Sequence, residues 1–419
     1  MQIPPNDNWS FPFGDTVYKW RQIFYTHIKF HIVIVITKSP LSVALFTGSS
    51  ITFFGGAERG ALNLANELLS RNIYVVIFTA HDDSRQNIPF PQIQSMCKAK
   101  IIRFKKLPLK FIPTFPLLTV ENMKVLKEIN TIYNIDESVF TGLFLLIYSR
   151  IRKMKYVYGM HIPDSFLFSN RSAQSKFKKV MWHLYRIPLT AFFKGFVNNI
   201  HVINEAQAKS LESIGYRGNI YLIPNFVYEY RESVTFNDEN FIVLFTGANN
   251  IEIKGIDLLT EIIVKTIQKE DHIRFCITGE TGDGSKLINE VVSKYPNNVE
   301  NKGFVTESEL TELHRKASLF IFTSRIDSFS IGIVRAQSWG LPCIAFNITG
   351  PKDILKNPIQ GSLINSFNTD KFSDAILNFY TMWKSDRQGY ISLMHSIQEN
   401  IYEKLGAEVI LPKMIKMFS

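Results

Sequence analysis

The chain has 419 residues, enough for two or three globular domains. Its composition, 46% hydrophobic and 20% charged, excludes a disordered, collagen-like or coiled-coil chain. The three cysteines lie far apart without Cys-x-x-Cys spacing, so the sequence predicts neither a disulfide framework nor a zinc knuckle and favours a reducing, cytoplasmic site.

The net charge of +10 is divided unevenly along the chain. Residues 1–228 hold 27 basic and 13 acidic residues, whereas residues 229–419 hold 20 and 24. This asymmetry indicates two modules with different partners. The most apolar early stretch, residues 23–46, is interrupted by Lys29, His31 and Lys38, so no membrane span is predicted. The first twenty residues also lack the pattern of a secretion signal.

Apolar runs typical of buried strands alternate with amphipathic helical segments in two series. Residues 1–38 fit neither pattern and are left unassigned. The first series has predicted strands at 42–47, 72–79, 99–104, 155–161 and 200–204, and a predicted helix at 58–71. The second series begins after the Pro-Asn pair at 224–225, with predicted strands at 241–246, 273–278, 317–323 and 342–346, and helices at 256–267 and 306–315.

This alternation predicts an α/β protein with two Rossmann-like domains that face each other across a cleft. The predicted domains are residues 1–225, with 1–38 as an extension, and residues 226–395. A last helix at 396–419 is expected to pack back toward the first domain. The cleft between the domains is the expected ligand site.

Three loops, each between a predicted strand and the following helix, carry candidate binding residues. Gly55 and Gly56, in the sequence GGAER, let backbone amides approach a ligand closely, although a flexible turn explains the pair equally well. Gly247 begins a second loop, which ends at Lys254; this lysine either neutralises a phosphate or is an ordinary surface residue. The third loop contains Asp327, whose carboxylate either accepts hydrogen bonds from hydroxyl groups or caps the helix that follows.

These loops, taken in order, resemble motifs of the retaining GT-B glycosyltransferases of glycosyltransferase family 4. The resemblance covers residues 42–400 and also includes the segments YGMH (158–161), IPN (223–225), GDG (282–284), GFV (303–305) and AQSWGLP (336–342). It implies a nucleotide-sugar donor bound in the cleft between two Rossmann-like domains. By the same resemblance His161 would face the donor sugar, Lys254 would bind phosphate, and Phe304 and Val305 would line the nucleobase pocket.

The sequence departs from the family pattern at the donor site. The family signature is a glutamate, seven residues and a second glutamate, and here these positions hold Asp327 and Arg335. Asp327 keeps the charge on a shorter stem, whereas Arg335 has only donors and cannot replace a carboxylate that holds ribose hydroxyls. Two family glycines are replaced by Ser330 and Phe226, and an alanine and an asparagine stand where a phosphate-binding arginine is usual. We expect Arg335 to supply this missing positive charge to the diphosphate, so Arg335→Glu should weaken donor binding.

The sequence thus predicts a retaining hexosyltransferase that moves a sugar from a nucleotide-sugar donor to a glycan or lipid-linked acceptor. The donor diphosphate is expected at the helix start formed by Phe329, Ser330, Ile331 and Gly332. His161 and Asp327 would orient the sugar. The alternative for His161 is a buried structural histidine. No cofactor and no metal are expected, because the chain has neither Asp-x-Asp nor His-x-x-His spacing.

The alternative is a non-catalytic protein of GT-B fold with a degenerate donor site, acting as a binding or partner subunit. The changes at the donor site favour this alternative. Basic stretches at 103–111 and 171–194, interleaved with aromatic residues, fit either an anionic membrane surface or a solvated helix face. No nucleic-acid-binding pattern is present. We therefore expect a cytoplasmic protein able to bind peripherally at the inner face of a membrane.

Overall fold

The computed structural model describes residues 41–53, 56–81, 88–106, 116–135, 139–161, 191–228, 231–356 and 360–419. These residues form two separate sheets, each covered by helices, which confirms the predicted α/β fold. The expectations for residues 1–38, for Gly55 and for most of the basic stretch 171–194 lie outside the described residues. The described part of the other basic stretch forms the end of a strand of the first sheet, at Lys100–Lys106.

The first sheet contains eight strands in the described residues. They are β1 (Ser42–Thr47), β2 (Tyr74–Ala80), β3 (Lys100–Lys106), β4 (Pro116–Leu117), β5 (Thr131–Asn134), β6 (Lys155–Met160), β7 (Asn199–Val202) and β8 (Asn219–Leu222). Their order across the sheet is β4-β3-β2-β1-β5-β6-β7-β8. Neighbouring strands are parallel except for β3 and β4, which are antiparallel.

The second sheet contains six strands in the described residues, and all neighbours are parallel. They are β9 (Ile242–Thr246), β10 (Arg274–Thr278), β11 (Val299–Gly303), β12 (Leu319–Phe322), β13 (Cys343–Phe346) and β14 (Gly361–Ile364), in the order β11-β10-β9-β12-β13-β14. Strand order therefore reverses between β1 and β5 in the first sheet and between β9 and β12 in the second. Ligands of such folds bind at the carboxyl ends of the strands beside this reversal.

The helices connect the strands and close both cores. They are α1 (Gly56–Ser70), α2 (Phe90–Met96), α3 (Val120–Leu126), α4 (Val139–Arg152), α5 (Glu205–Ser213), α6 (Ile251–Lys254), α7 (Ile256–Lys269), α8 (Ser285–Lys294), α9 (Glu307–Lys316), α10 (Ile331–Ser338), α11 (Pro351–Ile354), α12 (Thr369–Ser385), α13 (Arg387–Leu405) and α14 (Ala407–Phe418). The predicted capping box of α9 is present: Thr306 and Glu309 each bond the other's backbone amide.

The central strands are continuous apolar runs because both faces of each parallel sheet are covered. All six residues of β1 are buried, and α7 buries Leu259, Ile263 and Ile267 against the second sheet, on the face that their spacing predicts. Burial of such aliphatic side chains contributes about 1.5–3 kcal/mol each. The two sheets thus have separate cores. Each core holds the carboxyl ends of its own strands in place.

The end of the chain returns to the first sheet. Segment 396–419, expected as one helix, instead contains the end of α13 and the whole of α14, separated at Gly406. Leu411, Met417 and Phe418 of α14 are fully buried in the core of the first sheet. The Thr131 hydroxyl donates a hydrogen bond of 2.9 Å to the Phe418 carbonyl oxygen. This packing ties the second half of the chain to the first.

Candidate active site

A cleft of about 580 Å³ lies between the carboxyl ends of the two sheets. Strand ends beside both reversals of strand order contribute to it. Each site residue predicted from the sequence, apart from Gly55, lines this cleft: Gly56, His161, Gly247, Lys254, Phe304, Val305, Asp327, Phe329, Ser330, Ile331, Gly332 and Arg335. Gly55 lies outside the described residues.

Asp327 lines the cleft and also accepts hydrogen bonds from the loop before α10. One carboxylate oxygen, Oδ1, accepts hydrogen bonds from the backbone amides of Phe329 at 2.9 Å and Ser330 at 2.5 Å. The other oxygen, Oδ2, contacts Lys254 Nζ at 3.3 Å. Asp327 thus bonds the two amides that precede α10 rather than capping the helix, whose N-cap is Ser330, and its recognition of hydroxyl groups stays a prediction.

The N-terminus of α10 opens into the cleft beside this carboxylate. The amides of Phe329 and Ser330 are occupied by Asp327, which leaves those of Ile331 and Gly332 at the helix start. The side chain of Phe329, only 4% exposed, belongs to the core of the second sheet, so this residue contributes backbone rather than a ring to the cleft.

Lys254 ends the short helix α6 and directly precedes Gly255, the N-cap of α7, so it also stands at a helix start as the sequence predicted. Gly255 follows it in the left-handed conformation, with φ of 65°, and a Cβ there would lie 2.3 Å from the carbonyl oxygen of Thr323. The Lys254 ammonium lies 5.3 Å from the centre of the Phe322 ring. The turn at Gly255 and the contact with Phe322 hold the ammonium at the carboxyl end of β12.

Arg335 is almost buried and takes part in a three-residue charge cluster across the cleft. Its Nη1 lies 2.9 Å from Glu307 Oε2, and Glu307 also forms an ion pair with Arg59. Arg59 belongs to α1 of the first sheet's domain, whereas Glu307 and Arg335 belong to α9 and α10. This cluster joins the two sides of the cleft.

The charged side chains that line the cleft among the described residues are formally balanced. They are the basic Arg59, Lys254 and Arg335 and the acidic Glu280, Glu307 and Asp327. An anionic ligand would therefore compete with these carboxylates for the basic groups.

His161 approaches the cleft from the first domain. Its Nε2 lies 2.7 Å from the Tyr133 hydroxyl oxygen, and its carbonyl oxygen accepts a 3.0 Å hydrogen bond from the Ser328 hydroxyl of the second domain. Burial, and secondarily the nearby His201, lowers the pKa of His161 to about 3. Its imidazole is therefore neutral at physiological pH, and the residue is partly buried where it lines the cleft.

Further contacts bring the two domains together at the same place. The Asn204 side-chain amide donates a 2.7 Å hydrogen bond to the Ser328 carbonyl oxygen. A Cβ on Gly56 would lie 3.3 Å from Ile331 Cδ1, so the starts of α1 and α10 face each other closely. The small size of Gly56 thus permits this approach of the two helix starts.

The cleft residues that were not foreseen from the sequence include Tyr133 and Glu307. Tyr133 lies in β5, a four-residue strand that was not recognised. Glu307 follows the predicted GFV segment but was read only as part of the first turn of α9. The signal that could have revealed Glu307 is Arg335, which replaces the second family glutamate. A buried arginine needs a carboxylate partner, and Glu307 is that partner.

The described fold, with two facing Rossmann-like domains, is that of the GT-B glycosyltransferases. Staphylococcus aureus TarM in complex with Fondaparinux, alpha-GlcNAc-glycerol and UDP superposes with a TM-score of 0.67 at 16% identity, covering 90% of this chain and 100% of the other. Anabaena HepE in complex with UDP gives 0.66 at 16% identity, covering 90% and 99%. Sucrose-phosphate synthase from Thermosynechococcus elongatus gives 0.66 at 17%, covering 90% and 98%. At these identities the similarity establishes the fold alone.

Sequence comparison identifies the family. Residues 54–229 match a family model described as "Glycosyltransferase Family 4", and residues 240–382 match one described as "Glycosyl transferases group 1". The two matches together place the chain among the glycosyltransferases.

Curated relatives match parts of the chain. One is "Poly(ribitol-phosphate) alpha-N-acetylglucosaminyltransferase" of Staphylococcus aureus, 26% identical over 225 residues, covering 53% of this chain and 44% of the relative. Another is an uncharacterized glycosyltransferase of Methanocaldococcus jannaschii, 22% identical over 193 residues, covering 45% and 47%. The chain thus spans less than half the length of these relatives. None of the helices in the described part of the chain has the length and apolarity needed to cross a membrane.

Proposed function

We propose that the chain is a retaining hexosyltransferase that moves a sugar from a UDP-sugar donor to a glycan or lipid-linked acceptor. The observation that carries this proposal is the cleft, where Lys254, Asp327 and the start of α10 face His161 across the two domains. Relatives add support, because HepE was solved with UDP and one Escherichia coli relative is named for UDP-Gal transfer to a diphosphoundecaprenol-linked sugar. The last similarity, 29% identity, covers 23% of this chain and 26% of that protein.

In this proposal the donor diphosphate binds at the start of α10. The amides of Ile331 and Gly332 face it, and Lys254 and Arg335 neutralise its charge. Lys254 stays close to Asp327, and Arg335 stays close to Glu307. Each cation therefore interacts with both a carboxylate and the phosphate. The Gly247 loop lets the backbone come close to the phosphates.

The base and the sugar of the donor occupy opposite sides of the diphosphate. Phe304, 46% exposed, and Val305 flank the base at the carboxyl end of β11. Asp327 and His161 contact hydroxyl groups of the sugar, and Gly56 at the start of α1 lies beside it.

Catalysis in this site is electrostatic. When the bond between the anomeric carbon and the diphosphate oxygen breaks, negative charge grows on the leaving nucleoside diphosphate, and fixed cations and amides stabilise that charge. The chain's own Lys254 and Arg335 provide the positive charge, so the proposal includes no metal and no cofactor. The acceptor enters over the basic first domain, which would lie against an anionic membrane surface at the cytoplasmic face.

One observation favours the second candidate, a non-catalytic protein that keeps the fold. Arg335 stands at the family's second glutamate position and is already paired with Glu307. Under this candidate the charge cluster is structural, and the cleft binds no donor. Binding and turnover measurements separate the two.

The proposal is tested by the affinity for UDP and for UDP-sugars, measured by calorimetry. Lys254→Met and Arg335→Gln should each weaken UDP binding by about tenfold, since each removes a charge-assisted contact to the diphosphate. The matched control is Lys269→Met, because Lys269 forms a surface ion pair with Asp374 at the far end of α7. Equal affinities in all four proteins would contradict the assignment of the phosphate site.

Retention is tested on the product. We expect the transferred sugar to keep the anomeric configuration that it has in the donor. NMR determines this configuration in the product formed with a purified acceptor, or in the sugar released by slow hydrolysis of the donor. An inverted product would contradict a retaining mechanism while leaving the donor site intact.

A further inference from the structure

A chain of three hydrogen bonds, the first partly buried and the other two buried, leads from the cleft histidine into the first sheet. His161 Nε2 lies 2.7 Å from the Tyr133 hydroxyl oxygen, and this oxygen lies 2.6 Å from His201 Nδ1. His201 Nε2 lies 2.7 Å from the carbonyl oxygen of Ile223. Tyr133 belongs to β5, His161 follows β6, and His201 belongs to β7, so three adjacent strands supply the side chains.

The last link determines the direction of every hydrogen bond in this chain. A carbonyl oxygen only accepts, so His201 Nε2 carries the proton that it donates to Ile223. Burial lowers the pKa of His201 to about 4, and the neutral ring then has a lone pair at Nδ1, to which the Tyr133 hydroxyl donates. The Tyr133 oxygen in turn accepts from His161, whose Nε2 therefore carries the proton of that ring.

The consequence appears at the cleft. With its proton at Nε2, the neutral imidazole of His161 has a lone pair at Nδ1 and no second N–H group. Among the described residues Nδ1 makes no hydrogen bond. His161 thus offers the cleft an acceptor, and a group that meets it there must be a donor, such as a sugar hydroxyl.

The surroundings of Tyr133 hold this arrangement in place. Gly159 lies beside the ring, and a Cβ at this position would be 2.7 Å from both the Tyr133 hydroxyl and Cε2. On another side the Phe418 ring packs against Tyr133, with 5.2 Å between ring centres. Tyr133 itself is only 1% exposed. The tyrosine therefore fits this space only because residue 159 has no side chain.

We propose that Tyr133 and His201 are positioning residues that fix His161 in its Nε2–H tautomer, so that Nδ1 accepts a hydrogen bond from a hydroxyl of the donor sugar. The identity of the ligand rests on the proposed function, whereas the tautomer does not. The site then discriminates against a donor whose sugar lacks that hydroxyl, because the donor would lose its hydrogen bond to Nδ1.

The tautomer is measured directly on the wild-type protein. With histidines labelled with ¹⁵N, long-range ¹H–¹⁵N spectra distinguish a protonated from an unprotonated ring nitrogen, and His161→Gln and His201→Gln assign the two signals. We expect both rings to be neutral and protonated at Nε2 alone from pH 7 to pH 5. The exposed His395 serves as the internal reference. A His161 signal protonated at Nδ1, or averaged between tautomers, would overturn the proposal.

The functional consequence is measured with Tyr133→Phe, which removes the hydroxyl that links the two histidines. We expect affinity for UDP-glucose or UDP-N-acetylglucosamine, whichever the wild type binds, to fall about tenfold while affinity for UDP stays unchanged. Tyr156→Phe is the matched control: its hydroxyl accepts a 3.1 Å hydrogen bond from Asn134 in the same sheet but does not line the cleft. An equal loss for UDP and the UDP-sugar would mean a structural role and overturn the proposal.

The two tests separate this proposal from the function on which it rests. Absence of any UDP-sugar binding by the wild type would contradict the proposed function but leave the tautomer to the NMR measurement. If Tyr133→Phe does not fold, which thermal denaturation reveals, the wild-type spectra still decide. Wild-type binding combined with the wrong tautomer would contradict the positioning role alone.

Discussion

Ser330 combines a strained backbone with a place at the edge of the cleft. Its φ of 65° lies in the left-handed region, which costs a residue with a side chain roughly 1 kcal/mol, and here the family has glycine. Within the part of the chain that the structure describes, one weak side-chain hydrogen bond, 3.3 Å from Ser330 Oγ to Asp327 Oδ1, offsets this cost. In this conformation the Ser330 amide donates its hydrogen bond to the Asp327 carboxylate.

Ser330→Gly should therefore raise the free energy of unfolding by about 0.5–1 kcal/mol, because glycine adopts this conformation without strain. Chemical denaturation measures the change. The control is Ser392→Gly, at an exposed position within α13, where glycine should instead lower stability by about 0.5 kcal/mol. A loss of stability in both variants would contradict the assignment of strain at Ser330.

Buried neutral histidines make the protein sensitive to acid. Burial is the main cause that lowers the pKa of His161 and His314 to about 3 and of His201 to about 4. An unfolded histidine binds a proton near pH 6.5, so between pH 6.5 and these lowered values the unfolded chain binds more protons than the folded chain. The free energy of unfolding must then fall with falling pH, by up to about 1.4 kcal/mol per pH unit for each histidine.

We expect stability to be nearly constant above pH 7 and to decline steadily from pH 6.5 to pH 5, as measured by denaturant titration at each pH. His314→Phe removes one of the three histidines and should reduce the slope of the free energy of unfolding against pH by about one third. Phenylalanine suits the site because the His314 ring stacks on Phe320 and its Nε2 has no partner among the described residues. His395→Gln, at an exposed position, should leave the slope as it is. Unchanged wild-type stability at pH 5 would contradict the neutral buried state of these rings.

At the scale of elements, α14 anchors the second half of the chain on the first sheet. Phe418 is fully buried against Tyr133 and lies beside the hydrogen-bond chain to the cleft. A large cavity forms when such a side chain is removed, because the packed surroundings relax only partly.

Phe418→Ala should lower the free energy of unfolding by about 3–5 kcal/mol. Val409→Ala, on the same helix but 37% exposed, should cost less than about 1 kcal/mol. Calorimetric unfolding compares the two variants. Similar small losses in both would show that α14 does not carry the packing attributed to it.

The elements also show how far the sequence can be read. β1, β9 and α7 were predictable because their apolar runs or helical periodicity are local signals. β5 was missed because its four residues include Thr131 and Asn134, whose polar groups bond partners that are distant in sequence, such as Phe418 and Tyr156. The break at Gly406 depends on packing against the first sheet, which no local pattern records.

The same distinction applies to the site. Lys254 and Asp327 were predictable because each follows a strand and a motif. The roles of Glu307 and Tyr133 depend on Arg59, Arg335 and two histidines that come from other elements. Such partners become neighbours only when the sheets and the two domains assemble.

At the scale of the whole molecule, donor binding should not depend on a metal ion. Glu270, Asp271 and His272 form an exposed cluster that could hold one, but they precede β10 and so lie at the opposite edge of the sheet from the cleft. We expect UDP affinity to be the same in EDTA and in magnesium, measured by calorimetry. A loss of binding in EDTA that magnesium restores would contradict the assignment of phosphate neutralisation to Lys254 and Arg335.

The central claim is that the cleft between the two domains binds a nucleotide-sugar donor. Thermal denaturation against a panel of nucleoside diphosphates and nucleotide sugars tests it most directly, because a ligand of the folded state raises the melting temperature. The account predicts a clear rise with UDP and with at least one UDP-sugar, reduced in Lys254→Met and preserved in Lys269→Met. No rise with any nucleotide at millimolar concentration would contradict it and favour the non-catalytic protein of the same fold.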